Sequence, residues 1–230
     1  MPRAANLFSN IIVEEENTTR NQDRVSDQST YVYVWNMTKD NPGHVSMKAG
    51  DEYLSLWPKN FPSVGPTTIL PLKPSFAKNL SEDEQAEAIS RKTKFDGFNN
   101  DPTSIIPDDG NPISPLPPDH TFKIDGLDTH KIKEEIIKQK EDQNIRYQLL
   151  PGVNLLGFFN RIFSFDNFKP VDVPRLELDP PAEQIKLQPH NCSTIVGAML
   201  KLGGQPIQTT RSPWVLTPND IAKQLSILRK

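Results

Sequence analysis

Hydrophobic residues recur along this chain in short periodic blocks, separated by long stretches with no period at all. The first block, Thr30-Tyr31-Val32-Tyr33-Val34-Trp35-Asn36, is β-branched and aromatic throughout and predicts a strand buried on at least one face. Asn41-Pro42-Gly43 then turns the chain. Residues 44–48 and 52–57 alternate apolar and polar positions on either side of Gly50-Asp51, which predicts a hairpin closed by a two-residue turn. That turn fixes the register: Lys48 faces Tyr53, Ser46 faces Ser55 and His44 faces Trp57. These six share one face, while Val45, Met47, Leu54 and Leu56 share the other.

Helical spacing dominates the rest. Ser81-Glu82-Asp83-Glu84 reads as a capping box opening a helix that runs to about Lys92. Asp128 or Thr129 caps a second helix that reaches Asp142, with Ile132 and Ile136 inward and Glu134 and Lys138 paired four apart. Asn191 caps a third, whose stripe of Ile195, Val196, Met199, Leu200 and Leu202 stops at Gly203-Gly204. Pro218 sits in the first turn of a fourth, from Asn219 to about Leu228, with Ile221, Leu225 and Leu228 as its buried side. Residues 121–124 and 146–150 read as short strands. The stretch from Val153 to Phe165 is the most apolar present and reads as a core helix or as a partner-facing surface. The predicted class is α+β, a small antiparallel sheet packed on the helix that starts at Cys192.

Composition refines this picture. The 22 prolines among 230 residues crowd into 61–74, 102–118 and 170–189, predicting long extended loops over the core. Residues 1–28 are polar and lack sustained period, so they are expected to form a loose arm ahead of a single domain at 29–230, with an insertion at 151–189. A formal charge of −3, with both signs interspersed, gives no field suited to nucleic acid. The single cysteine excludes an intramolecular disulfide and fits a reducing, cytoplasmic-type compartment. Glu14-Glu15-Glu16 stands where a signal peptide would need apolar residues, and no eighteen apolar residues run together, so neither a classical leader nor a transmembrane segment is expected.

Cys192 carries the chemistry. At the first turn of a capped helix, unpaired N–H groups and the positive end of the dipole favour a thiolate over a thiol. A thiolate nucleophile needs a base, and His44, His120, His130 and His190 are available. His120 edges a proline loop, His130 lies on an exposed first turn, and His190 is turned away by the helix entry. His44 starts a strand within the predicted sheet, where a rigid scaffold can hold an imidazole against a helix start. His190 and Cys192 are too close in sequence for a tetrahedral zinc site, Asp108-Asp109 and Asp125 to Asp128 lack a calcium-loop pattern, and Gly203-Gly204 follows a helix instead of opening one. No metal or cofactor is expected.

The run from Gly43 to Pro58, GHVSMKAGDEYLSLWP, with Asn191-Cys192-Ser193-Thr194 far downstream, resembles the permuted papain-like superfamily of cysteine hydrolases and acyltransferases, to which NlpC-type peptidases and the lecithin–retinol acyltransferase group belong. Gly126-Leu127-Asp128 and Tyr147-Gln148-Leu149 are fainter echoes of bacterial toxin and effector members. The resemblance implies Cys192 as nucleophile, His44 as general base, and a third, orienting group on the strand after the histidine, either Ser55 or, from the preceding strand, Asn36. It implies an oxyanion hole drawing on the Cys192 N–H, with Gln188 and Asn191 as side-chain helpers; Asn191 also reads simply as a cap. The implied activity is a thiol-dependent peptidase, amidase or deamidase working through a thioester on a protein or peptide substrate, in a bacterial effector secreted into another cell without a signal peptide. A thiol acyltransferase and a non-catalytic binding module on the same scaffold are the alternatives.

Overall fold

The computed structural model describes residues 29–59, 68–92, 113–153, 187–209 and 215–228. The arm at 1–28 and nearly all of the apolar stretch from Val153 to Phe165, with its surrounding insertion, lie outside these residues.

Five strands form one antiparallel sheet: β1 (Thr30–Trp35), β2 (His44–Ala49), β3 (Glu52–Pro58), β4 (Pro74–Phe76) and β5 (His120–Ile124), in spatial order β4-β3-β2-β1-β5. The hairpin register is the one its turn dictates, with Ser46 opposite Ser55 and Lys48 opposite Tyr53. Gly50 takes a φ of +59° at the first turn position, a conformation that a side chain resists. The strand expected at 146–150 is present as β6 (Ile145–Tyr147), paired in parallel with β7 (Gln188–His190), whereas β4 and β7 lack the alternation that marks a strand in sequence. Pro74 and Pro189 sit inside them, and three-residue strands are too short to show a period.

Among the described residues there are four helices, α1 (Leu80–Lys92), α2 (Thr129–Glu141), α3 (Cys192–Leu202) and α4 (Pro218–Leu228). α1 begins earlier than the expected capping box. Asn79 is the cap, its Oδ1 accepting the Glu82 N–H at 3.0 Å, while the Glu82 carboxylate accepts the Lys78 N–H at 2.8 Å. The box is shifted back, and Asp83 is freed to point inward. Two smaller expectations also fail. Lys138 pairs with Glu135 at 3.4 Å, and Leu228 is exposed because α4 turns its Ile221, Ala222 and Leu225 side to the core.

The sheet has two different faces. Val32, Val34, Val45, Met47, Leu54, Leu56 and Phe122 meet Ile132 and Ile136 of α2, the Ile195-to-Leu200 stripe of α3 and Ile221 of α4 in one buried cluster. Burial of a side chain of this size contributes about 1.5–3 kcal/mol, so the cluster is the main source of stability. Gly197 lets α3 approach closely: a Cβ there would stand 2.6 Å from the Leu216 side chain. Lys133 pairs with Asp51, and Lys140 with Glu52 at 2.8 Å, tying α2 to the hairpin. The opposite face of β2 and β3 carries His44, Ser46, Tyr53, Ser55 and Trp57, also buried, with Asp83 and Glu87 of α1 buried against them. Among the described residues no helix is long and apolar enough to cross a membrane.

Candidate active site

His44 stands at the start of β2 and is 1 % exposed. Gly43, at φ +69°, delivers it there; a Cβ on Gly43 would lie 2.5 Å from the Trp35 carbonyl oxygen. The ring stacks on Trp57 at 4.0 Å between centroids, and Trp35 lies 5.6 Å away. A ring so confined has one orientation. The Cys192 thiol, 5 % exposed at the first residue of α3, is one of the groups that raise the pKa of this ring.

The other side of the ring leads to a carboxylate whose place in the sequence suggests only a helix cap. His44 Nε2 lies 2.9 Å from Ser55 Oγ and 3.5 Å from Asp83 Oδ1. Ser55 donates its hydroxyl proton to Asp83 Oδ1 at 2.6 Å, so toward the ring it acts as an acceptor. Nε2–H therefore points to Ser55 and Asp83. Trp57 Nε1 donates to Asp83 Oδ1 at 2.8 Å, and Tyr53 donates to Oδ2 at 2.5 Å. Three neutral donors and one imidazole thus converge on a single fully buried carboxylate.

This convergence determines the charges. Burial alone would lower the His44 pKa, yet the charge and hydrogen bond of Asp83, and then the Cys192 thiol, outweigh it and raise the ring to about 10. Asp83 shows the mirror image: burial would raise it, but the His44 charge and the bonds from His44, Ser55 and Tyr53 hold it below the ordinary carboxylate range. The two shifts agree on an imidazolium–carboxylate pair. Burial and the Asp83 charge push the Tyr53 phenol far up, so it remains a donor.

One helical turn beyond Asp83, Glu87 is 1 % exposed and accepts from Arg91 Nε at 3.0 Å. Burial raises its pKa against the lowering influence of His44 and Arg91. Arg91 continues to Asp119 at 3.4 Å.

The remaining sequence-nominated residues separate clearly. Ser55 does touch His44, as a bridge to Asp83. Asn36 does not: its Nδ2 lies 3.2 Å from His120 Nε2, and its backbone N–H binds Asp119, so it belongs to an outer network. Gln188 is exposed on β7, with Nε2 3.4 Å from Asp142, and does not face the thiol. Asn191 is the cap of α3: its Oδ1 accepts the Thr194 N–H at 2.7 Å, and its Nδ2 donates to the Leu149 and Leu216 carbonyls, each at 3.3 Å. Its amide is fully committed. Among the described residues no group of three or more His, Cys, Asp or Glu is placed to hold a metal ion.

Asp83 is the group that sequence reasoning missed. The hairpin face held a signal for it, because His44, Ser46, Tyr53, Ser55 and Trp57 are all donors and a buried face of donors requires an acceptor. Set against protein-family models, curated proteins and solved structures, the chain matches none.

Proposed function

We propose that this protein is a thiol-dependent hydrolase, a peptidase, amidase or deamidase, in which Cys192 attacks an acyl carbon and His44 and Asp83 manage the proton. The observation that carries the reading is the buried His44 imidazole clamped by the buried Asp83 carboxylate, with the Cys192 thiol among the groups that keep the ring charged. A histidine with a packing role alone would not need a caged acid that keeps it charged.

In this mechanism the imidazolium holds Cys192 as a thiolate. The sulfur attacks the substrate carbonyl, a C–S bond forms, and the carbonyl π electrons move to oxygen. Collapse expels the amine, which takes the proton from His44 and leaves a thioester. His44 then draws a proton from water, whose oxygen attacks the thioester and regenerates the enzyme. Asp83 and Ser55 orient the ring and stabilise its charged form throughout. An amine or alcohol in place of water would make the same site an acyltransferase. The order of histidine strand, acid and cysteine helix supports kinship with permuted papain-like enzymes, and that kinship points to protein or peptide substrates.

Iodoacetamide labelling tests the reading. At pH 6 an ordinary thiol of pKa about 8.5 is roughly 0.3 % thiolate. A Cys192 activated by the charged His44 should react tens of times faster than glutathione. His44→Ala should remove the advantage. Equal rates for wild type and glutathione at pH 6 would defeat the proposal.

A further inference from the structure

Asp83 is gripped by both of its oxygens, and the two grips differ. Oδ1 receives the Ser55 hydroxyl at 2.6 Å and the Trp57 indole N–H at 2.8 Å, with His44 Nε2 at 3.5 Å. Among the described residues Oδ2 has one donor, the Tyr53 hydroxyl at 2.5 Å. The phenol has a single proton and gives it to Asp83, so in the 2.7 Å contact between Tyr53 and Ser46 the serine donates. Ser46 stands opposite Ser55 on the neighbouring strand, and both are fully buried. Two serine hydroxyls thus reach one carboxylate from the same face of the hairpin, Ser55 directly and Ser46 through the phenol.

The mechanism above has no use for this second chain, and the geometry supplies one. At 3.5 Å the His44–Asp83 contact is long for a direct hydrogen bond, and Ser55, 2.9 Å from the ring nitrogen, bridges it. That bridge holds only while Oδ1 faces Ser55. A carboxyl group turns readily about its last bond, because torsions of this kind have broad wells. A donor fixed on Oδ2 removes the freedom. Tyr53 is such a donor: it is 5 % exposed on β3, with the Tyr33 ring 6.2 Å from its own and Ser46 behind its oxygen.

We propose that Tyr53 is a positioning residue for the thiol chemistry: by holding Asp83 Oδ2 it keeps Oδ1 turned to Ser55 and His44. Its catalytic consequence rests on the hydrolase reading, whereas its hold on Asp83 rests on the hydrogen bonds alone. The ionisable groups that face Asp83 are His44 and Tyr53 from the sheet and Glu87 one turn along its own helix. His44 and the Tyr53 hydroxyl both favour the charged carboxylate, and Glu87 as a like charge does not. Without the phenol proton, Asp83 is protonated at a higher pH than in the wild type. The buried imidazolium then loses its counter-charge, and the thiolate loses the cation that keeps it ionised.

Tyr53→Phe deletes that one hydroxyl and keeps the ring. Two measurements read the effect: the titration of the Asp83 carboxyl carbon resonance, and iodoacetamide alkylation of Cys192 at about pH 4.5 and at pH 7. The carboxyl should titrate at higher pH than in the wild type. Alkylation should slow by about 10-fold at the lower pH and stay within about threefold at the higher one, since one hydrogen bond to a charged group accounts for at least a decade. Ser46→Ala leaves the phenol proton on Asp83 and should move the carboxyl titration by less. An unmoved titration in Tyr53→Phe, an equal shift in Ser46→Ala, or equal slowing at both pH values would overturn the assignment, because lost packing alone produces each of these. A shifted titration beside a wild-type thiol no faster than glutathione would instead sink the hydrolase reading and leave Tyr53 as the residue that holds Asp83.

Discussion

Asp83→Asn removes the charge at the centre of the site while keeping its shape, and its effect can be worked out from the geometry. The histidine's native pKa of about 10 stands above the unfolded 6.5, so its contribution to stability is complete below about pH 6.5 and is lost as pH climbs toward 10. Asp83 is depressed below its usual 3.8, so its contribution is complete above that value and is lost as pH falls through the lower native one. Both are full between about pH 4 and 6.5. At about 1.4 kcal/mol per pKa unit, the histidine interval caps the linked term at about 5 kcal/mol. Breaking a buried pair from one side costs about 3–5 kcal/mol, a similar figure reached independently. Asp83→Asn should therefore lose about 3–5 kcal/mol at pH 6. At pH 9.5 the histidine term has fallen to about 1 kcal/mol, so the gap should shrink to about 2–3 kcal/mol, most of it the pH-independent misplacement of the Tyr53, Ser55 and Trp57 donors. The assay is urea unfolding at both pH values, each protein carrying Cys192→Ala so that the thiol does not titrate. A gap under about 1 kcal/mol at pH 6, or an equal gap at both pH values, would refute the imidazolium–carboxylate pair.

Three further outcomes follow from the same structure. Glu87 has a native pKa above its unfolded value, so it favours the fold at low pH and opposes it once pH rises through that native value; Glu87→Gln should match or exceed wild-type stability at pH 7, by up to about 1 kcal/mol, and lose that advantage near pH 4 in urea titrations. Asn191→Ala removes a helix cap and two further hydrogen bonds, for a loss of about 2–3 kcal/mol in chemical denaturation, while the rate of Cys192 acylation by p-nitrophenyl acetate stays within a few-fold because the residue is a cap and not an oxyanion donor. Gly197→Ala forces a methyl group against Leu216 and should cost about 1–3 kcal/mol, read as a lowered melting temperature.

The parts of this molecule that are legible in its sequence are those with local causes. The hairpin register follows from a two-residue turn and a period of two, so residue spacing alone sets Ser46 opposite Ser55 and His44 beside Trp57. The α3 boundaries follow from Asn191 at one end and Gly203-Gly204 at the other. Asp83 is not legible because its role is non-local. In sequence it sits in the acidic first turn of a helix, where dipole and capping explain it fully, and only the docking of that helix onto the polar sheet face turns it into an acceptor. Asn36 fails for the opposite reason. Strand order puts it next to the site, but it lies just past the end of β1, where its side chain faces His120 and the outer network.

The aromatic seat of His44 makes the proton on the ring visible to light. Two of the chain's three tryptophans, Trp35 and Trp57, flank it at 5.6 and 4.0 Å. An excited indole transfers an electron to an imidazolium far more readily than to a neutral imidazole, so these two residues emit weakly while the ring is charged. Emission at these tryptophans is therefore a built-in indicator of the ring's charge, brightening as the proton leaves, with no label added to the protein.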